Sequence, residues 1–271
     1  MAYLFPLSIQ LTLPEAYPKD EHFRQVLESL QQHGFSGVEL NIVRLEQIDP
    51  QELKSFLYQF DLKMTMFASG AAAKASGLSL SSEDEDLRAR SIAGCEKFIE
   101  FVGQFDAGVI VGFLKGGPAQ DREKARRAFQ ESLRAIAPRA RELQVPVLIE
   151  ATNRYEAAVA NSLDDTFGLI AAVGGNPFIK MLPDTFHMNI EERDQFDALA
   201  RHAALYDSLH ISDNNRHFPG FGAIRFDRIV DFLRDMGYRG GIAIEGNIKE
   251  DLISDIRETM KYLEPILREE E

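Results

Sequence analysis

The sequence predicts an α/β fold, a (β/α)₈ TIM barrel that forms a single domain over residues 1–271. Three observations predict it. Short apolar runs alternate with longer amphipathic segments, which is the pattern of βαβ units and a parallel sheet. Eight such pairs can be counted along the chain. The length of 271 residues is typical of one barrel and is sufficient to bury a sizeable core.

The first four strand–helix pairs are marked by recognisable helix ends. Gly34 stands where the first helix should end. Asp49-Pro50 provides a cap and a first-turn proline for the second helix, and Ser82 starts a capping box for the third. The segment 69–82 is predicted to be a loop of small residues that is too long for a plain βα turn, so we expect it to be functional or mobile. The predicted strands are residues 4–11, 37–41, 62–68 and 107–114, with helices over 20–33, from 50 onward, over 83–103 and over 120–143.

The last four strands are predicted to be short buried apolar runs that each end on a polar residue. They begin near Val145, Phe178, Leu205 and Gly241. Helices are predicted over residues 162–173, 226–236 and 249–267, following the fifth, seventh and eighth strands. The helix of the sixth strand is predicted to follow Phe186-His187-Met188. The acidic tail 268–271 is expected to fray.

Four polar residues stand at the ends of these consecutive strands. They are Glu150, Asp184, His210 and Glu245. They follow one another by roughly the ~31 residues that each βα unit of a barrel of ~250 residues occupies, so their side chains should meet at one rim. Taken singly, each has an ordinary explanation as a salt-bridged acid or a structural histidine. Together they predict a shared site for a hard-to-borderline divalent ion such as Mg²⁺ or Mn²⁺.

Four further residues lie where they could face the same pocket. His187 comes three residues after Asp184, and Arg216 and Glu156 lie in loops that follow ligand-bearing strands. Each also has an ordinary structural explanation. His187 could cap a helix, Arg216 could be a solvated surface residue, and Glu156 could be one more acid in an acidic protein. Lys115 follows strand four, where it is either a solvated rim charge or a group that recognises a substrate carboxylate.

The remaining histidines and the one cysteine are expected to be structural. His22, His33 and His202 fall in helices of the outer ring, and nothing else in the sequence supports a role for His217. Cys95 is the single cysteine, so it cannot form an internal disulfide. Its position on the packing face of a helix predicts a buried, inert thiol.

The charge balance argues against polyanionic partners. The chain has 43 acidic and 30 basic residues, a formal net charge of −13, which repels phosphate backbones and anionic lipids. No run approaches the ~18 consecutive apolar residues of a membrane span, and the N-terminus lacks the pattern of a signal peptide. We therefore expect no nucleic-acid or membrane partner and a cytoplasmic location.

The motifs around the strand ends resemble a known family. They are similar to the sugar isomerase/epimerase barrels related to xylose isomerase, and closest to the ketose 3-epimerases, of which D-tagatose 3-epimerase is the familiar type. The resemblance is specific from Val145 onward. The motifs that carry it are Leu148-Ile-Glu150 with Asn153-Arg-Tyr-Glu156, Pro183-Asp184-Thr-Phe-His187-Met, Leu209-His210-Ile-Ser-Asp, Asn215-Arg216 with Pro219-Gly-Phe-Gly222, and Ala243-Ile-Glu245.

The resemblance implies roles for these residues. The four strand-end residues would bind one divalent ion, most often Mn²⁺, with Mg²⁺ or Co²⁺ as alternatives, and Glu150 and Glu245 would also move the substrate proton. Glu156, His187 and Arg216 would hold hydroxyls near the reacting carbons. The activity implied is epimerisation or isomerisation of a free ketose or related sugar through an ene-diolate. The family also implies a homo-oligomer.

Two departures from the family pattern keep other functions open. The chain has no tryptophan, although Phe113 could replace the aromatic pocket wall of those epimerases. Lys115 has no place in their pattern, and it keeps open a decarboxylase or dehydratase that acts on a keto sugar acid. An aldose–ketose isomerase would use the same residues. A DNA-repair endonuclease of this fold is disfavoured, because it needs more metal ligands and a basic face than this chain offers. A sugar-binding barrel without activity is disfavoured because binding alone does not require four metal ligands.

Overall fold

The structure, a computed structural model, describes residues 3–268. All eight strands pair in parallel, in the order β6-β5-β4-β3-β2-β1-β8-β7. A parallel bridge between Asp184 and His210 joins the two ends, so the barrel is nearly closed and the predicted fold class is confirmed. The strands are β1 Leu7–Thr12, β2 Gly37–Asn41, β3 Lys63–Ala68, β4 Gly108–Val111, β5 Val147–Glu150, β6 Ile179–Leu182, β7 Ser208–Ile211 and β8 Gly241–Ile244.

Helices follow the strands and cover the barrel. The predicted cap at Asp49-Pro50 is confirmed, because the Asp49 carboxylate accepts hydrogen bonds from the backbone amides of Gln51 and Glu52. Gly34 follows the first helix with a φ of 71°, in the left-handed region that suits a glycine stop. The helices are α1 Glu21–Gln32, α2 Pro50–Tyr58, α3 Gly70–Ser76, α4 Glu85–Val102, α5 Arg122–Leu143, α6 Leu163–Ala171, α7 Thr185–Glu191, α8 Gln195–Arg201, α9 Phe226–Asp235 and α10 Leu252–Leu267.

Two local predictions are wrong. The segment 69–82 is not a plain loop, because its alanine-rich part forms α3, which ends at Gly77 with a φ of 61°. Helix α4 does not begin at a Ser82 capping box. Its cap is Asp84, whose carboxylate accepts from the amide of Leu87 at 3.0 Å, because aspartate is an equally good cap two residues nearer the apolar stretch.

The barrel interior holds a small apolar layer below the rim. Its members come from four adjacent strands and are Ala68, Ile110, Leu148 and Leu182. Because side chains alternate across a strand, Glu150 faces the interior two residues beyond Leu148. The same alternation sends Val38 and Leu40 of β2 outward into the main core between strands and helices, and leaves Glu39 facing inward. Polar side chains therefore occupy the interior at its carboxyl end.

Cys95 and the histidines of the outer helices lie away from the strand ends. Cys95 is fully buried, and burial raises the pKa of its thiol to about 12. His22 is exposed on α1 and His202 is buried at the end of α8, where its ring bonds to Asp164. Within residues 3–268 no helix has the length and apolar character to cross a membrane. Of the tail predicted to fray, residues 269–271 lie outside the described part of the chain, and Arg268 pairs with Glu264.

Candidate active site and metal centre

The four predicted ligands meet at the carboxyl rim of the barrel. Each offers one ligand atom, and all four atoms lie within 4.8 Å of one another. In residues 3–268 this is the only group of three or more histidine, cysteine, aspartate and glutamate residues placed to hold a metal ion. The members are Glu150 at the end of β5, Asp184 just beyond β6, His210 in β7 and Glu245 just beyond β8.

Asp184 and His210 lie at the seam where the barrel closes. The backbone amide of His210 donates to the carbonyl of Pro183 at 2.9 Å, which joins the end of β6 to β7. Asp184 is also the N-cap of α7, and its Oδ1 accepts from the amide of Phe186 at 2.7 Å. The backbone therefore fixes the Asp184 carboxylate while its second oxygen remains directed at the site.

His210 is held between two carboxylates. Its Nδ1 lies 2.9 Å from Glu245 Oε2, and its Nε2 lies 2.8 Å from Glu39 Oε2. Burial alone would lower the pKa of His210, but Glu39 and Glu245 raise it well above its ordinary value. The sequence interpretation missed Glu39, although an acid in the middle of the buried run Gly37–Asn41 was the signal that could have revealed it.

Arg216 spans two of the candidate ligands. Its guanidinium donates to Asp184 Oδ2 at 2.6 Å and to Glu245 Oε2 at 2.8 Å. Burial alone would lower the pKa of the guanidinium, but these carboxylates raise it further above its ordinary value. The backbone of Arg216 has a φ of 63°, a strained value for a non-glycine residue, and such strain is commonly found at functional sites.

A buried aspartate to which the sequence interpretation gave no role organises the Arg216 loop. The Asp213 carboxylate accepts backbone hydrogen bonds from four residues, namely Asn214, Gly220, Gly222 and Ile224, at 2.8 to 3.0 Å. These bonds join the two ends of the loop that follows β7. The position of Arg216 is therefore fixed by its own backbone turn and by this carboxylate.

His187 is the third residue of α7 and faces Glu150. The backbone amide of Asn153 donates to His187 Nδ1 at 3.3 Å, so in the neutral ring the proton is on Nε2. That nitrogen lies 3.6 Å from Glu150 Oε1. Asn153 also donates through Nδ2 to Glu156 Oε1 at 2.8 Å, so Glu156, which is half-exposed, is linked to the same group.

A cavity of about 150 Å³ opens between these side chains. Gly112 lines it, and a Cβ at that position would displace Glu150 Oε2 from its present place. The described residues contain two buried side-chain oxygens without a hydrogen-bond partner, Glu150 Oε1 and Thr152 Oγ1, and both residues line this cavity. The full lining is Gly112, Phe113, Gly116, Gly117, Glu150, Thr152, Glu156, Ala157, His187, Arg216 and Glu245.

The predicted rim position of Lys115 is wrong. Its side chain is fully buried, and its Nζ donates to the main-chain carbonyls of Glu150 and Ala160. Burial lowers the pKa of the ammonium to about 8, although Glu150 and Glu156 oppose this effect. The short 3-10 helix Phe113–Lys115 turns the side chain inward, and Lys115 does not line the cavity. Phe113 does line it and is 57% exposed.

The neighbouring charges keep two of the carboxylates ionised. Burial alone would raise the pKa of Glu245, but Arg216 and His210 hold it well below its usual range. Burial and the Glu245 charge would raise the pKa of Glu150, but His187, whose Nε2 lies 3.6 Å from Glu150 Oε1, holds it below its usual value. Both groups are therefore able to accept a proton at neutral pH.

The site fits a divalent metal ion. Three carboxylates and one imidazole are oxygen and nitrogen donors of the kind that Mg²⁺ and Mn²⁺ accept. The buried Glu150 Oε1, which has no hydrogen-bond partner, would gain one as a ligand. The four carboxylates, with Glu39 included, outnumber the cationic groups Arg216, His187 and His210, so an added cation is electrostatically favourable.

The fold and the site together define a TIM barrel protein with a candidate metal centre at the carboxyl ends of its strands. The chain belongs to the xylose isomerase-like TIM barrel family, whose model matches residues 27–266. The family resemblance found in the motifs is therefore confirmed.

Known relatives include proteins named as sugar epimerases. The chain is 31% identical over 235 residues to a probable ketose 3-epimerase of Synechocystis sp., a match that covers 83% of this chain and 79% of the relative. It is 26% identical to a ketose 3-epimerase of Arthrobacter globiformis, over 83% and 78% of the two chains. The crystal structure of an apo 3-keto-D-glucoside 4-epimerase from Escherichia coli has the same fold, with a TM-score of 0.80 and 23% identity over 96% of this chain and 99% of that one.

Proposed function

We propose that the protein is a divalent-metal-dependent sugar epimerase that acts on a free ketose or a related sugar by proton transfer through an ene-diolate. The observation that carries the proposal is that two carboxylates, Glu150 and Glu245, line one cavity within a cluster suited to a metal. The relatives named as ketose 3-epimerases support the reaction type. An aldose–ketose isomerase would use the same groups and differs only in the carbon that receives the proton.

The proposed metal is Mn²⁺, with Mg²⁺ or Co²⁺ as alternatives, held by Glu150, Asp184, His210 and Glu245. When bound, a divalent ion supplies Lewis-acid polarisation of a carbonyl oxygen, which makes the neighbouring C–H acidic. The chain itself supplies the bases. One carboxylate removes the proton from the substrate carbon and later releases it to solvent. The other, once it has taken up a proton from solvent, delivers that proton to the opposite face, which inverts the carbon.

Three residues beside the bases are proposed to orient the substrate. His187 presents its Nε2 toward Glu150, Arg216 presents its guanidinium beside Glu245, and Glu156 stands at the exposed edge of the cavity. Donors and acceptors on both sides of the cavity suit a polyhydroxylated molecule. Such contacts hold the reacting carbon at a fixed position between the two carboxylates.

The charges around the cavity favour a neutral sugar over a sugar acid. Among the residues that line it, Arg216 is the one permanent cation, and Asp184 and Glu245 already neutralise it. Lys115, the cation that a keto sugar acid would need, is buried against backbone carbonyls. These contacts argue against the decarboxylase or dehydratase alternative.

A substrate screen tests the proposal. Purified protein with Mn²⁺ is incubated separately with free ketoses and with keto sugar acids, and the products are separated by chromatography. We expect conversion of at least one ketose to its epimer. Conversion of keto sugar acids alone, with release of CO₂ or water, would contradict the proposal.

Replacement of Arg216 by alanine tests the proposed substrate contacts. Hydrogen bonds to a charged group contribute ~1.5–3 kcal/mol, so kcat/KM should fall by ~10- to 100-fold. Metal content should not fall, because the guanidinium repels a divalent cation at Asp184 and Glu245. Steady-state kinetics and metal analysis of the same preparation measure both effects.

Arg154→Ala is the matched control for this experiment. Arg154 also follows a ligand-bearing strand, but its side chain pairs with Glu191 and does not line the cavity. The Arg154→Ala protein should retain wild-type kinetics. Unchanged kinetics in folded Arg216→Ala protein would instead leave Arg216 with a structural role. The homo-oligomeric state and the cytoplasmic location stay predictions.

A further inference from the structure

We propose that Glu39 is a positioning residue for the metal centre. It holds the ring of His210 so that Nδ1, and not Nε2, faces the candidate ligand carboxylates. The inference rests on the proposed metal site and adds to it a residue outside the four ligands. It follows from a contact across the barrel interior between two residues that are 171 positions apart in the chain.

Glu39 lies where the fold otherwise places apolar side chains. It is the third residue of β2, its side chain is 1% exposed, and it faces the interior that Ala68, Ile110, Leu148 and Leu182 fill elsewhere. Burial of an unpaired carboxylate is costly, so such a group persists only where a partner compensates. The partner is His210, which is fully buried on β7. The pair crosses the interior because β1 and β8 separate the two strands in the sheet.

The geometry assigns a separate role to each nitrogen of His210. Nε2 lies 2.8 Å from Glu39 Oε2, so the Nε2–H donates to this carboxylate. Nδ1 lies 2.9 Å from Glu245 Oε2 and 3.9 Å from both Glu150 Oε1 and Asp184 Oδ2. In the neutral ring, the lone pair of Nδ1 is therefore directed at the place where the three carboxylates converge.

A carboxylate on the far nitrogen of a ligand histidine has two effects. It fixes the orientation and the protonated nitrogen of the ring, and it makes the other nitrogen a stronger donor to the metal. Loss of such a partner typically weakens metal binding by ~10- to 100-fold. Glu39 should act on metal affinity in this way without touching the metal or the substrate.

Isothermal titration of Mn²⁺ into metal-free protein tests the inference without any assay of activity. The proteins are wild type, Glu39→Ala, Glu39→Gln and the control Val38→Ala. We expect Glu39→Ala to bind ~10- to 100-fold more weakly. Glu39→Gln should be intermediate, because its amide oxygen still accepts a hydrogen bond but carries no charge. The visible spectrum of bound Co²⁺ should change in both Glu39 variants, because the imidazole ligand is no longer held by the carboxylate.

Val38→Ala separates positioning from a general weakening of the strand. Val38 is buried on β2 directly before Glu39, but its side chain packs in the main core outside the barrel. It should keep the wild-type affinity for Mn²⁺ even if its melting temperature falls. If Glu39→Ala does not fold, Glu39→Gln decides the question.

The two possible failures are distinguishable. Wild-type protein that binds no divalent ion would overturn the proposed metal centre, and the role of Glu39 with it. Wild-type protein that binds Mn²⁺ while both folded Glu39 variants bind it equally well would overturn the role of Glu39 alone. Equal weakening in Val38→Ala would also overturn it, because the effect would then belong to the strand.

Discussion

Exhaustive treatment with EDTA is expected to abolish catalysis, and Mn²⁺ is expected to restore it. The expected loss exceeds ~10³-fold, because Lewis-acid stabilisation is worth several kcal/mol and each ~1.4 kcal/mol is a factor of ten in rate. His210→Ala should bind Mn²⁺ weakly and stay inactive at concentrations that saturate the wild type. Metal analysis and initial rates during readdition of Mn²⁺ measure both effects.

His202→Ala is the matched control for the histidine replacement. His202 is also buried and also bonds to a carboxylate, Asp164 at 2.7 Å, but it lies at the end of α8 outside the site. The His202→Ala protein should keep its metal and nearly all of its activity. Full activity of His210→Ala after EDTA treatment would show that catalysis does not depend on this metal centre.

The strand-end residues could be predicted because the barrel topology converts sequence position into spatial position. Glu150, Asp184, His210 and Glu245 follow consecutive apolar runs, and parallel strands present their carboxyl ends at one rim. No knowledge of side-chain contacts was needed for that step. The structure brings the four together, and their metal-binding role stays a proposal.

Other features depended on contacts that sequence periodicity does not encode. Lys115 follows a strand and precedes two glycines, which is typical of a solvated loop. Its burial results from the short helix at Phe113–Lys115 and from the carbonyls of Glu150 and Ala160, which are distant in sequence. Asp213 likewise gains its function as a loop anchor only from amides up to eleven residues further along the chain.

Two missed features did carry a sequence signal. The alanine-rich start of segment 69–82 favours a helix by intrinsic propensity, and α3 forms there. The acid in Gly37–Asn41 interrupts a buried apolar run in the same way as the four strand-end residues, but it lies mid-strand. An interior barrel position beneath the rim is a place for a residue that supports a ligand, and Glu39 occupies it.

Replacement of either proposed base by glutamine is expected to cost at least ~10²- to 10⁴-fold in kcat, the contribution attributed to general acid–base catalysis. Glu150→Gln and Glu245→Gln keep the shape of the side chain but cannot accept a proton, and weakened metal binding would add to the loss. Glu192→Gln is the control, because Glu192 is half-buried and caps the amide of Leu163 away from the cavity. Rates are measured at saturating Mn²⁺.

Isotope incorporation then distinguishes the epimerase from its alternatives. Glu150 and Glu245 stand on β5 and beyond β8, three strands apart around the barrel, so they can approach a bound sugar from opposite faces. In D₂O the wild type should therefore place one deuterium on the inverted carbon of the product, detected by NMR. Deuterium on the adjacent carbon together with aldose formation would show an isomerase. Release of CO₂ from a keto sugar acid, lost in Lys115→Met, would contradict epimerisation altogether.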